Sequence, residues 1–174
     1  MVGIMVVLAG LTVAGLGNAN KQASKKATET FIAEIENALG KYEVEFGWFP
    51  VSPEAGVSSQ DHGTRNSEGE LGSAILYKEL SGDFDEDGVL DDDTETYLEK
   101  LIDTKRSIEA PRGGGFWVLD PFNSPIRYLC EPRNEPNKET FNPTYDVWSI
   151  INTDPTEAGD DDVRKSYITN YGTR

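Results

Sequence analysis

The amino-acid sequence predicts an α+β protein in which one long N-terminal helix packs on a small antiparallel β-sheet. Three patterns carry that expectation. Met1–Gly17 (MVGIMVVLAGLTVAGLG) is apolar and uncharged, and it runs without a loop into a helical stripe. The stripe, Ala23, Ala27, Phe31, Ile35, Ala38, Leu39, Tyr42 and Phe46, recurs at steps of three and four. Three short runs rich in aromatic and β-branched residues come late, at Phe116–Leu119, Ile126–Cys130 and Tyr145–Ile150, each bounded by turn residues.

Each element has its own signals. Gly47 follows the last stripe residue, where a left-handed cap is favoured, and Pro50 prevents continuation of the helix. Stem and stripe together predict one helix from Met1 to Phe46, apolar all round at its start and one-sided at its end. A membrane anchor followed by an independent surface helix would leave the same pattern. Residues 51–70 are dense in Ser, Gly, Pro and Glu and predict a loop. Short helices are predicted at Leu71–Leu80, with Leu71, Ile75, Leu76 and Leu80 apolar, and at Thr94–Ile102, with Tyr97, Leu98, Leu101 and Ile102 facing inward. The chain divides into a stem, residues 1–24, and a head, residues 25–174.

The stem sets the first functional limit. Its 17 uncharged residues fall short of the ~20 needed to cross a bilayer as a helix. A secretory signal is the competing reading, with Leu16–Ala19 as a weak cleavage site, but no Lys or Arg precedes the apolar run. The stretch reads as a segment whose beginning lies upstream. Gly3, Gly10, Gly15 and Gly17 each weaken an isolated helix by about 1 kcal/mol relative to alanine, so lipid or close helix packing must hold it helical.

Composition narrows the rest. The formal charge is −15, and residues 1–30 contribute +2, leaving −17 on the remainder. Such a surface repels phosphate backbones, which sets nucleic acid aside. The single cysteine, Cys130, excludes an internal disulfide and reads as a buried, inert thiol. No catalytic arrangement stands out. The one histidine, His62, has no Cys or His partner nearby, which argues against zinc and His-based nucleophilic chemistry. Gly113–Gly115 precedes a strand and no helix, so it is a turn and no phosphate cradle.

The strongest local signal is GDFDEDGVLDDD, Gly82 to Asp93. Asp83, Asp85 and Asp87 alternate, Gly88 follows, and Asp91 comes next, as in the first nine positions of a calcium loop. Alternate carboxylates converge on one hard cation, the glycine turns the chain, and the Val89 carbonyl can add an oxygen. The twelfth position is Thr94 where that pattern has a bidentate Glu. A structural calcium loop and a merely solvated acidic loop are the two readings. A second acidic loop, Asn152 to Asp162, is weak on residue chemistry alone.

Several ordered motifs carry a family likeness. Met1–Gly17 followed by Phe31–Pro50 (FIAEIENALGKYEVEFGWFP), then Asp120–Tyr128 (DPFNSPIRY), then Tyr145–Ser149 (YDVWS), resemble the major pseudopilins of type II secretion systems, within the type IV pilin superfamily. The resemblance implies a pilin-like fold and no enzymatic activity. It implies a homopolymeric filament subunit stored in a membrane through its N-terminal helix. It implies assembly by secretion or pilus machinery, with Ca2+ bound in the head. It places Asp160 and Asp162 at the family's Asp-x-Asp calcium positions, with backbone oxygens of the loop after Ser149 completing the site. Residues Leu76–Asp83 and their acidic continuation resemble an insert found in a subset of these proteins. The implied location is the bacterial inner membrane with the head in the periplasm, and then a surface filament. Lys21, Lys25 and Lys26, on the head side of the stem, would by the positive-inside tendency place the head in the cytoplasm. A type IV pilus subunit for adhesion or motility is the neighbouring alternative. A membrane-anchored or secreted calcium-dependent binding module is the alternative from another class.

Overall fold

The computed structural model describes residues 2–51, 67–92, 94–103, 106–109, 115–130, 140–151 and 166–172; of residues 2–19, 67–71 and 103 it gives the backbone alone. Its elements are helices α1 (Val2–Phe46), α2 (Ser67–Ser81) and α3 (Lys100–Asp103), and strands β1 (Ser107–Glu109), β2 (Phe116–Val118), β3 (Arg127–Cys130), β4 (Tyr145–Ser149) and β5 (Ile168–Thr169). The fold is α+β, with small antiparallel sheets beside an N-terminal helix.

The apolar stripe makes α1 a continuous helix of 45 residues. It buries Phe31, Ile32, Ile35, Ala38, Leu39 and Tyr42. The buried band is narrower than the sequence stripe at both ends. Ala23 is exposed, Ala27 is half-buried and Phe46 is 38% exposed, its ring lying on Tyr42. The helix ends as its residues require. Gly47 adopts a left-handed conformation (φ 77°) and its amide donates to the Glu43 carbonyl at 2.7 Å.

The three central strands lie within the aromatic and β-branched runs that predicted them, but they do not make one sheet. β1 pairs with β2, and β3–β4–β5 form a separate three-stranded sheet. The sheets meet through an antiparallel bridge, Leu119 to Pro125, and through the Ile126 amide donating to the Val118 carbonyl at 2.8 Å. Strands β1 and β5 carry too few residues for a periodic signal, and the sequence did not announce them.

The principal partner of the sheets is also different from the expectation. α2 lies against both β2 and β3, whereas α1 touches β4, β5 and α2 along a smaller front. Two adjacent residues explain the close fit of α2. A Cβ added at Gly72 would stand 1.9 Å from the Tyr128 carbonyl oxygen, so only glycine lets the helix reach the β3 backbone. Beside it, the Ser73 hydroxyl donates to the Val118 carbonyl at 3.1 Å and accepts from the Val118 amide at 2.9 Å. A helix side chain thus does for β2 what a neighbouring strand would do.

The helix predicted at Thr94–Ile102 reduces to the short α3. The amides of Tyr97 and Leu98 donate instead to the Leu80 carbonyl, at 3.2 and 2.9 Å, satisfying the end of α2 and leaving this segment extended. Of its expected inward side, Tyr97, Leu98 and Leu101 are buried and Ile102 is half-buried.

The core has two parts on opposite faces of the β3–β4–β5 sheet. One gathers α1, α2 and α3 with Tyr128, Cys130, Tyr145, Val147 and Ile168, and the other holds Leu129, Trp148, Ile150 and Tyr167. Cys130, the one cysteine of the chain, is buried and in no disulfide. Burial pushes the Tyr145 phenol up to about 12, with Glu36 and Glu43 adding to the shift.

Two substitutions test this packing. Leu39, fully buried, should lose roughly 2–5 kcal/mol of unfolding free energy as Leu39→Ala. Val44→Ala, at a position 88% exposed, should stay within about 0.5 kcal/mol. Denaturant titration of both separates a core stripe from a solvent-facing one. Gly72→Ala would add about 1 kcal/mol of stability to a free helix, yet here it should cost roughly 1–3 kcal/mol through overpacking. A neutral or stabilising result would show that α2 does not sit this close to β3.

Candidate functional site

The acidic loop begins where α2 stops. Its first carboxylate, Asp83, has no exposed surface, and burying a charge is costly unless donors surround it. Three donors do. Tyr77 Oη, six residues earlier, donates to Oδ2 at 2.6 Å, the Gly88 amide donates to Oδ2 at 2.9 Å, and the Asp87 amide donates to Oδ1 at 3.0 Å. Tyr77 is itself buried and stacks on Phe116 of β2, with ring centroids 4.9 Å apart. Burial first, and then the hydrogen bond to Asp83 and its negative charge, hold the Tyr77 phenol well above its ordinary range. The phenol therefore remains a donor.

The rest of the loop folds around that carboxylate. Gly88 turns the chain with φ 86°, and a Cβ there would press on the Phe116 ring at 3.3 Å. Asp91 Oδ2 accepts the Phe84 amide at 2.7 Å, and the Asp91 amide donates to the Gly82 carbonyl at 3.1 Å. Thr94, at the loop's twelfth position, closes it by donating from Oγ1 to the carbonyls of Gly82 (3.0 Å) and Asp91 (2.7 Å).

Asp83, Asp85 and Asp91 converge, each offering an oxygen within 4.8 Å of the others. Asp83 is buried, Asp91 half-buried and Asp85 exposed, so the group opens to solvent on one side. Loss of hydration, and then the charges of Asp87, Asp91 and Asp83, raise the Asp85 carboxyl above the usual range, although a backbone amide at Asp87 opposes them. Hard cations at about 2.3–2.6 Å from each oxygen suit such a set of three carboxylates. The triad could hold a metal ion.

Asp87 stands outside this group; its Oδ1 accepts the Val89 amide at 2.8 Å, and its own amide goes to Asp83 and to Asp85 Oδ1 (3.2 Å). Val89 enters the loop as that amide donor, and its side chain is 63% exposed. Asp160 and Asp162 lie outside the described residues. The approach to them is described: two residues beyond β4, Ile151 has a φ of 51°, unusual for a β-branched residue, and its amide donates to Ser149 Oγ at 3.1 Å. Tyr77 and Thr94 are the contributors that residue chemistry passed over. Nothing in the residue pattern singled out Tyr77, and Thr94 entered only as a departure from the calcium pattern.

A second polar centre links the motif Asp120–Tyr128 to β4. Asp120 is buried and accepts the amides of Phe122 (2.8 Å) and Ser124 (2.9 Å) at Oδ1, while its Oδ2 accepts the Ser149 hydroxyl in a very short hydrogen bond. Burial raises this carboxyl; Ser149, the two amides and the charge of Arg106 pull it back, and burial wins. Its role is to fix a turn against a strand.

Compared with protein-family models, curated proteins and solved structures, the chain has no significant match in any of the three. Among the described residues no helix is long and apolar enough to cross a membrane.

The two acidic positions should separate in a stability assay without divalent cations. Asp83→Ala strips three donors of their acceptor and should cost roughly 2–4 kcal/mol. Asp85→Ala removes a carboxylate from a repelling group and should leave Tm unchanged or higher. A large loss at Asp85 and none at Asp83 would reverse the roles assigned to them.

Proposed function

We propose that the chain is a structural subunit of a pilus-like filament, of the kind found in the type II secretion pseudopilus. Its first residues store it in a membrane and later pack into the filament core, and calcium stabilises its head. The observation that carries this reading is the continuous α1, Val2–Phe46, which is gripped by the head only from about Thr28 to Tyr42 among the residues whose side chains are described. The part before that grip includes the uncharged Met1–Gly17. In a filament each stem exchanges lipid for a bundle of like stems, with small residues such as Gly10 and Gly15 allowing close approach. The work of assembly belongs to partner machinery.

Calcium suits the oxygen-only donor set and tolerates its irregular geometry better than magnesium does. Asp83, Asp85 and Asp91 would supply the carboxylates, with Asp87 and the Val89 carbonyl near enough in sequence to complete the shell. Asp160 and Asp162 would form a second site. The exposed Phe84, Val89 and Leu90 around the loop favour, as a second reading, a calcium-dependent binding module that presents this apolar rim to a partner.

The deciding experiment is electron microscopy of the full chain produced in a bacterial membrane and purified in mild detergent. Thin filaments support the filament reading, and a chain that stays monomeric on detergent removal sinks it. For calcium, titration calorimetry should find binding in the millimolar range or tighter. Free calcium a hundredfold above its dissociation constant should add about 2.7 kcal/mol to head stability. Unchanged melting in chelator would make both loops solvated acidic surface.

A further inference from the structure

We propose that residues 20–27 of one copy dock into a groove along α1 of the next, an inference that rests on the filament reading and names its contact. The segment, NKQASKKA, holds Lys21, Lys25 and Lys26 and no carboxylate. All three lysines are exposed. Lys21 and Lys25, four residues apart, share a face of the helix. The rest of the molecule is strongly acidic, with −17 beyond residue 30, so two copies repel one another almost everywhere else.

The acceptor is a shallow groove between the outer face of α1 and the extended segment after the acidic loop, lined by Glu36, Gly40, Val44, Glu45, Glu95 and Tyr97. Its floor is open and partly apolar: nothing lies within 4 Å of a Cβ placed on Gly40, and Val44 is 88% exposed. Its walls carry three carboxylates against the single ammonium of Lys41. Lysine suits this shape, since its methylene stem can cover Val44 while its ammonium reaches a carboxylate.

Charge complementarity selects a second copy of this chain as the occupant. Orientation follows from the stems. An antiparallel pair would send the two apolar stems out of opposite ends, where one membrane or one filament core could not take both. In a parallel pair, residue 25 of one helix lies beside residue 40 of the other, an axial stagger of about 22 Å. Donor segment and acceptor groove are then different surfaces, so the contact is heterologous and adds copies without closing.

Charge reversal tests this on the full chain in mild detergent at low salt, with sedimentation as the readout and Tm as a check on folding. Lys21→Glu/Lys25→Glu/Lys26→Glu and Glu36→Lys/Glu95→Lys should each weaken self-association by about tenfold or more. Mixing the two variants, or combining all five changes in one chain, should restore it. Growth should be open-ended and should fall as salt screens the contact. If the reversed variants polymerise like the wild type, the docking is wrong and the filament reading stands. If the lysine variant loses only its binding to phosphatidylglycerol vesicles, the segment serves lipid and the docking is wrong. A wild-type chain that is monomeric at every concentration, or stops at a dimer, overturns the docking; the monomer overturns the filament as well.

Discussion

The contact between α2 and the two sheets is the constraint on which the rest of the head depends. Neither sheet is large enough to be stable alone, since a two-stranded ribbon is marginal in water and needs a packing partner. α2 supplies that partner to both at once, through Gly72 against the β3 backbone and Ser73 against both polar groups of Val118. Leu76, Tyr77 and Leu80, on the same helix, then fill the space that α1 closes with Ile35, Leu39 and Tyr42. Tyr42 Oη reaches across to Glu79 of α2 at 2.8 Å, so the two helices are joined by polar and apolar contacts together.

That arrangement also ties the acidic loop to the core. The loop starts at the last turn of α2 and its deepest carboxylate is held by Tyr77, whose ring lies on β2. A charge placed there is stabilised by fixed dipoles, and the more exposed carboxylates repel one another above it. The same geometry that orders Asp83 therefore leaves a local excess of negative charge, which a bound cation would relieve. One phenol thus ties the buried carboxylate of the loop to the packing of the head.

Much of this was legible in the residues. The i, i+4 recurrence of Phe31, Ile35 and Leu39, the Gly47 stop and the aromatic and β-branched content of Tyr145–Ser149 each reflect a local rule that tertiary structure left intact. The Asp-x-Asp-x-Asp spacing pointed to the loop in which Asp83, Asp85 and Asp91 converge, although Asp87 stands outside that group. Three features were not legible. β1 and β5 are defined by their partners rather than by their own residues. The segment Thr94–Glu99 has helical spacing, yet its amides are claimed by the end of α2. And the weight borne by α2 depends on Gly72 and Ser73, two small residues that add nothing to an apolar pattern.

The grip on α1 has a mechanical consequence. The buried band from Thr28 to Tyr42 runs for about 21 Å along the helix axis, while residues 2–27 extend roughly 38 Å beyond it. A force drawn along that projecting rod acts parallel to the row of Phe31, Ile35, Leu39 and Tyr42, so every contact in the row is loaded together in shear. A sideways force would instead open them one after another, beginning at Phe31. The head is thus built to resist traction along its stem far better than bending across it.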